Sequence, residues 1–339
     1  MRRSIKRWGR KIISVFKRPN PNIATEKDLY ACYWLLLNRK PDKQGLNHWL
    51  NLMEKTQMER QVLVGFFLLS EEFQRQRLGL RRQRTLVNLP DFKMVVNPND
   101  FSVGSSILRN KKYEAHVSQA IKSQLKSGDV FVDIGANIGY FTLLAAATVG
   151  EKGHVYAFEP NPSNCELIRE NIALNEYSNV TLFPYAVAES RQTLNYYGES
   201  INSNGQVSDI SEGEEALVKV EAVALDELLL DSEKITVVKM DIEGAEARAF
   251  SGMSQIIDKF RPVIFTEFSP HLLNYVSHVQ PEAYLTSLQE HYDVFVLESE
   301  EFKGLRFAEP ASVQEIMEKY ARTNDTHLDL AAFPREVKK

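Results

Sequence analysis

Residues 130–141, Val-Phe-Val-Asp-Ile-Gly-Ala-Asn-Ile-Gly-Tyr-Phe, constrain the fold more than any other stretch of the chain. Residues 130–133 read as the end of a buried strand, because a short β-favouring apolar run meets a glycine turn. Gly135 and Gly139 bracket that turn, and the nearly all-apolar residues 140–147 read as a buried helix. Glycine is needed where a chain turns sharply or where backbone must approach another group closely. A second apolar run, 155–158, ends in Glu159, twenty residues after Gly139. Strand, glycine turn, helix, strand and acid make a βαβ unit. Asp133 then sits at the carboxyl edge of the sheet, where open α/β sheets bind ligands.

This spacing suits a nucleoside: the turn comes close to it and Glu159 accepts hydrogen bonds from the ribose hydroxyls. The dinucleotide fingerprint requires G-x-G-x-x-G, and the loop 135–139 lacks the middle glycine that lets a pyrophosphate reach the helix N-terminus. Asp133 would repel a pyrophosphate and suits a cation. S-adenosylmethionine carries a sulfonium and an ammonium and no phosphate, so charge selects it over NAD. The plainer reading is a βαβ unit whose glycines serve only the turn.

At 339 residues, 43% hydrophobic and 25% charged, the chain has the composition of a soluble globular protein with room for two domains. Its two cysteines, Cys32 and Cys165, lie far apart and give neither metal spacing nor a disulfide framework, which fits a reducing, cytoplasmic setting. Residues 1–18 hold eight Lys or Arg and no acid, so the remainder is more acidic than the overall net charge of −4. An acidic body argues against nucleic acid as a partner. Ile5, Trp8, Ile12 and Phe16 fall at helical spacing in this basic segment, 1–21. It reads as a surface helix on an anionic membrane, placing the chain at the inner membrane surface, as a solvated tail, or as a targeting or nucleic-acid-contacting segment.

Residues 22–80 read as a small helical module. Thr25 and Asp28 resemble a capping box. Leu29, Tyr30, Tyr33, Trp34, Leu36 and Leu37 form one apolar face. A turn at 38–45 leads to a second helix, and Ser70 is placed to cap a fourth, at 71–77. The pattern Leu-Tyr-x6-Leu-x-Arg-x-Pro-Asp-x2-Gly-Leu-x2-Trp from Leu29 to Trp49, with Gly-Phe-x3-Ser-x-Glu-Phe from Gly65 to Phe73, resembles a helical domain of unknown function. That domain recurs in bacterial surface-associated and linker proteins. The resemblance implies an interaction module and no chemistry.

Residues 79–90 read as a basic linker, 92–96 as a short strand and 112–125 as a helix. Tyr113 and Glu114 either close over the nucleotide motif or place an acid at a helix N-terminus. Beyond a helix at 162–174 and a strand at 180–183, residues 184–186 read equally as the lining of an adenine pocket, with Ala186 in it, or as a bare turn. The loop 199–215, rich in Ser, Asn and Gly, reads as a substrate lid. Strand 235–239 ends at Asp241, which a doubly wound sheet sets in the same crevice as Asp133. Glu243 follows, as a reactive acid or as a cap for a helix beginning at Gly244. Strand 262–266 ends at Glu267, with Ser269 and His271 just beyond. A strand at 292–297 is expected to pair with 304–307, and 323–339 reads as weakly ordered. The sheet domain is bounded at 91–310, followed by a C-terminal helix and tail at 311–339.

Tyr113-Glu114, Val132-Asp-x-Gly-Ala-Asn-x-Gly-Tyr-Phe141, Phe158-Glu-Pro160, Leu225-Asp-Glu-Leu228, Lys239-x-Asp-x-Glu-Gly-Ala-Glu246 and Arg261-Pro262 through Glu267 occur in order. Together they resemble the FkbM-type S-adenosylmethionine-dependent methyltransferases. The resemblance implies an α/β fold, a Rossmann-like doubly wound seven-stranded sheet, here preceded by an all-α module. It implies S-adenosylmethionine as methyl donor and O-methylation of a hydroxyl, with family members acting on natural products and on sugars of surface glycans. A sugar or glycan is therefore the expected acceptor. The cofactor positions carried over are Glu114, Asp133, Gly135, Asn137, Gly139, Tyr140, Glu159, Ala186 and Asp241. Asp133 and the two glycines would hold the methionine end and Glu159 the ribose. A hydroxyl is a poor nucleophile, so a general base is expected among Asp241, Glu243, Glu267 and His271. Asp241, Glu243 and Glu267 could also hold a divalent ion, but nothing in their spacing requires one, and no metal is expected. Two other classes remain: an NAD-dependent oxidoreductase, and a non-catalytic binding protein that works through its helical module.

Overall fold

The computed structural model describes residues 22–68, 70, 72–73, 79, 83–198, 203–208, 218–297, 309–323 and 325–335. The basic segment 1–18, most of the expected helix 71–77, much of the loop 199–215 and the expected strand 304–307 lie outside them. The chain divides into two compact units, Met1–Leu80 and Arg81–Lys339.

In the first unit, α1 (Glu26–Leu37), α2 (Lys43–Thr56) and α3 (Arg60–Leu68) enclose a small core. Thr25 and Asp28 form the capping box, each side chain taking the other's backbone N–H. Leu29, Tyr33, Leu37, Met53, Leu63 and Phe67 are buried together, and Trp49 packs on Phe67 at 5.2 Å between ring centroids. Trp34, expected on the apolar face, is 50% exposed, because α1 buries the positions of Leu29, Tyr33 and Leu37 instead. Ser70 accepts the N–H of Phe73, the capping contact expected there.

The second unit opens with a hairpin, β1 (Thr85–Asn88) against β2 (Lys93–Val96), where the sequence reads mostly as a linker. Met94 and Val96 are fully buried, and the side chains of Asn171 and Asn175 bond the β2 backbone, so this edge is held against the body. The segment read as one helix holds α5 (Ala115–Gln124), with a separate α4 (Gly104–Asn110) before it.

The central sheet has seven strands in the order β12-β13-β11-β10-β3-β4-β5. Here β3 is Val130–Ile134, β4 His154–Phe158, β5 Val180–Phe183, β10 Val237–Met240, β11 Val263–Phe268, β12 Tyr292–Leu297 and β13 Leu328–Pro334. Chain order reverses between β3 and β10, which pair in parallel with Asp133 opposite Lys239. This is the topological switch point, and it puts the ends of β3, β4, β10 and β11 round one crevice. Strands buried on both faces read as continuous apolar runs, as Val237, Val238 and Met240 do. Among the helices covering the sheet, α6 (Tyr140–Val149) follows β3 and α7 (Pro162–Leu174) follows β4.

Strand β13 corrects the reading of the C-terminus. Residues 328–334, expected to be weakly ordered, run antiparallel between β11 and β12, and β12 takes them as its partner. Leu330, Ala331 and Ala332 are fully buried there. Their order comes from pairing on both sides with strands distant along the chain.

A second sheet, in the order β6-β9-β7-β8, comprises β6 (Ala186–Val187), β7 (Gln192–Gly198), β8 (Gly205–Ser208) and β9 (Val218–Val223). Part of the expected loop 199–215 is thus strand β8, paired with β7.

Candidate active site

A cavity of about 310 Å³ lies at the switch point. Its position follows from the strand ends. Gly135 leaves β3 at φ +81°, and a Cβ there would lie 2.0 Å from the carbonyl oxygen of Asp241. The glycine therefore lets two strand ends approach each other, rather than serving ligand approach alone. Gly139, at φ +93°, starts α6 and would meet Ile168 if it carried a side chain; it does not line the cavity.

Between the glycines, Asn137 adopts φ +53° and its N–H donates to Glu159 Oε2 at 2.8 Å. Glu159 Oε1 accepts the N–H of Asn161 at 2.8 Å and the side-chain amide of Asn164 at 3.3 Å. The carboxylate ending β4 is thus fixed in orientation by three donors. Burial pushes it up to about 8, against the pull of those donors.

The opposite wall comes from β10 and β11. Buried Lys239 donates to Asp241 Oδ2 at 3.0 Å, and its ammonium stands 4.8 Å from the centre of the Phe141 ring. Burial opposes that ammonium, but Asp241, Asp133 and Glu114 outweigh it and raise its proton affinity. Glu243 adopts φ +54° and accepts the Asn204 amide at 3.1 Å, while Asn137 donates to Asn204 at 2.9 Å. Asn204, at the start of β8, so joins the glycine loop to the loop after β10. Burial, and then Asp241, push Glu243 up to about 7. Burial, and then Asp241, also hold Glu267 well above the carboxylate range.

The cavity gathers Glu114, Gly135, Asn137, Tyr140, Glu159, Ala186, Asp241 and Glu267 from the candidates read in the sequence. Glu114 is part-buried on this wall, with burial and Asp241 raising its proton affinity. Asp133 is fully buried and does not line the cavity; Thr142 donates to its Oδ2 at 2.6 Å, and Oδ1 is unpartnered. It faces Lys239 from within the fold instead of holding a ligand directly. His271 is exposed and stands outside the cavity. It lies in the short helix Pro270–Leu272, which turns it away once β11 has ended. Glu243 does not cap the helix that follows: Glu246 takes the N–H groups of Ile242 and Gly244.

Sequence reasoning gave no role to Lys239, Asn204, Thr326 or His327, all of which line the cavity. Lys239 sat in a quoted motif, and a lysine inside an apolar strand was the available signal. Nothing local marked His327, because β13 was not recognised.

Carboxylates dominate the ionisable lining: Glu114, Glu159, Asp241, Glu243 and Glu267 against Lys239, with His327 beside them. Lys239 is already engaged by Asp241. Such a donor set fits a cationic ligand with a diol and disfavours a pyrophosphate, so the residues present fit S-adenosylmethionine. Among the described residues no group of three or more His, Cys, Asp or Glu side chains is placed to hold a metal ion.

Comparison with known proteins agrees with this geometry. The methyltransferase FkbM domain matches residues 133–301, and a domain of unknown function, DUF4214, matches residues 16–77. The hexuronic acid methyltransferase AglP of Haloferax volcanii is 28% identical over 161 residues, which is 46% of this chain and 63% of that protein. Methyltransferase sdnD of Sordaria araneosa is 27% identical over 165 residues, covering 39% of this chain and 63% of that one. The chain therefore spans less than two thirds of the length of these curated relatives. A solved structure, methyltransferase FkbM from Methylobacillus flagellatus, superposes with a TM-score of 0.37 at 15% identity, over 89% of this chain and 58% of that chain. Through residues 133–301 the chain belongs to the FkbM methyltransferase family, whose cofactor is S-adenosylmethionine.

Proposed function

We propose that the chain O-methylates a hydroxyl of a sugar or glycan by in-line transfer from S-adenosylmethionine. One observation carries this reading: the cavity sets the carboxylate of Glu159, fixed by the amides of Asn137 and Asn161, opposite a second carboxylate wall of Asp241, Glu243 and Glu267. S-adenosylmethionine supplies, when bound, a methyl group made electrophilic by the sulfonium. Glu159 accepts from the ribose hydroxyls, using lone pairs that the backbone amides leave over. Tyr185, Ala186, Val187 and Val207 offer an apolar wall for the base. Asp241 and Glu114 balance the positive charge of the cofactor, with Lys239 keeping their mutual repulsion in check. Alignment and exclusion of water supply most of the acceleration in such a displacement.

Of the four candidate bases, Glu243 and Glu267 lie in the cavity and outside the Lys239 ion pair, and Glu243 is already engaged by the Asn204 amide. The sugar assignment is supported by the likeness to the hexuronic acid methyltransferase and by the family's range. NAD chemistry is disfavoured by the acidic lining. Residues 1–18 support contact with an anionic membrane surface. Two free, buried cysteines support a cytoplasmic setting. No helix among the described residues is long and apolar enough to cross a membrane.

The test is to incubate the full chain with methyl-tritiated S-adenosylmethionine and a panel of methyl glycosides: hexoses, amino sugars and hexuronic acids. Base-stable label in at least one sugar is expected. Binding of S-adenosylhomocysteine with no label in any sugar would overturn the saccharide assignment and leave the cofactor site standing.

A further inference from the structure

We propose that His327, set against Glu267, takes the acceptor's proton; this deepens the methyl-transfer reading above and rests on it. The topology makes the pair. Strand β13 runs antiparallel to β11, so the residues entering β13 lie at the edge where β11 ends. Glu267 pairs in register with Asp329 and Phe268 with Leu328, and His327 is the next residue outward. Its Nδ1 stands 3.8 Å from Glu267 Oε2. The imidazole is 38% exposed and the carboxylate 14%, so the ring is the more accessible partner in the shared cavity.

The surrounding contacts hold the ring there. The hydroxyl of Ser269 donates to the Thr326 carbonyl at 3.1 Å, fixing the turn before His327. The Thr326 hydroxyl lies 3.3 Å from His327 Nδ1. The other charged groups nearby are Asp241, Glu243 and Glu246 from β10 and the loop beyond it, Glu114 and His116 from the start of α5, and Asp329 on β13. His116 holds Asp329 at 2.6 Å, and Lys239 holds Asp241 at 3.0 Å. Among the described residues His327 is the one basic side chain within ion-pair distance of Glu267. The 3.8 Å separation is one bridging water or a small ring rotation from a hydrogen bond, as catalytic pairs often are before substrate binds.

The positive charge of the bound cofactor favours the ionised form of Glu267 over the protonated form that burial favours in the empty site. Its carboxylate on Nδ1 then fixes the tautomer, leaves Nε2 free to accept, and stabilises the imidazolium that forms. The acceptor's O–H bond breaks and its proton passes to Nε2. The oxygen's electron pair forms the new O–CH3 bond, and the pair of the old S–CH3 bond stays on sulfur. Glu267 is then a positioning residue and His327 the proton acceptor.

The experiment uses the full chain with His327→Gln and Glu267→Gln, S-adenosylhomocysteine as the binding probe, and the panel sugar that turns over fastest as acceptor. We expect His327→Gln to bind S-adenosylhomocysteine within about threefold of wild type and to lose at least about 100-fold in turnover. The acidic limb of the wild-type pH–rate profile should vanish with it. In the complex with S-adenosylhomocysteine, nitrogen NMR of the wild-type His327 ring should show the tautomer protonated at Nδ1, and Glu267→Gln should lose that preference. Wild-type turnover in His327→Gln, or an acidic limb that survives in it, overturns the assignment. So does a ring tautomer unmoved by Glu267→Gln, and that measurement decides alone if no panel sugar reacts. Absence of S-adenosylhomocysteine binding by wild type would instead strike the reading beneath it.

Discussion

Gly135 and Asp241 meet backbone to backbone, with room for no atom beyond the glycine hydrogens. Two motifs over a hundred residues apart are therefore one object: the end of β3 and the end of β10 close the same crevice. Alanine at Gly135 would face both the left-handed φ of +81° and a Cβ 2.0 Å from the Asp241 carbonyl. We expect Gly135→Ala to cost at least about 3 kcal/mol in urea unfolding, since strain and overpacking add. A loss under about 1 kcal/mol would show that the loop relaxes and that the contact is not decisive.

Lys239 is the buried charge on which the acid wall depends. Replacing it with Met removes the partner of Asp241 and takes from Asp133 and Glu114 the positive charge that offsets them. Breaking a buried pair from one side costs about 3 kcal/mol. With Asp241 26% exposed, we take that as the upper end at pH 7. The loss should shrink at pH 5, where Glu114, pushed up to about 7 chiefly by burial, holds its proton. Urea midpoints for Lys239→Met at the two pH values check this, and an equal loss at both would contradict it.

The raised carboxylates set a pH dependence of known sign. Glu159 is pushed up to about 8 and Glu243 to about 7, both mainly by burial. Between about pH 4.5 and 8 the folded, ligand-free protein holds protons that the unfolded chain has released. Its stability is thus greatest at the acid end of that window and falls as pH rises through it. A cationic ligand favours the ionised carboxylates, so its binding expels protons. S-adenosylmethionine affinity should rise severalfold from pH 5.5 to 8, with proton release visible in calorimetry across buffers of different ionisation enthalpy. Affinity that is flat or falls would show that the acids are already ionised in the free protein.

His271 provides the contrasting case. It is exposed and outside the cavity, so His271→Ala should change unfolding free energy by less than about 0.5 kcal/mol and S-adenosylhomocysteine affinity by less than about twofold. A tenfold loss of affinity would place it in the site after all.

Much of this was legible in the sequence because the cofactor half of the site is local. Strand, turn and acid follow one another at 130–141 and 155–159, and their periodicity fixes where Asn137 and Glu159 must lie. Asp241 was equally readable, since a parallel strand ends at its carboxyl edge. The rest depends on non-local pairing. Glu267 sits at a visible strand end, but its neighbour His327 arrives on a strand ordered by pairing with strands distant along the chain. His271 was a natural choice because it is the histidine nearest along the chain, while the antiparallel return of β13 makes His327 the nearest in space. Asp133 was read as a ligand-holding acid; its complete burial depends on Thr142 and Lys239 packing from two other elements.

The central claim is that Glu159, held by the amides of Asn137 and Asn161, anchors the cofactor in this cavity. Calorimetry of S-adenosylhomocysteine with wild type and with Glu159→Gln tests it most directly. The expected result is micromolar binding by wild type, weakened at least about tenfold in a folded variant that can no longer offer two acceptor oxygens. Equal binding by the two proteins, or none by folded wild type at millimolar ligand, would contradict it.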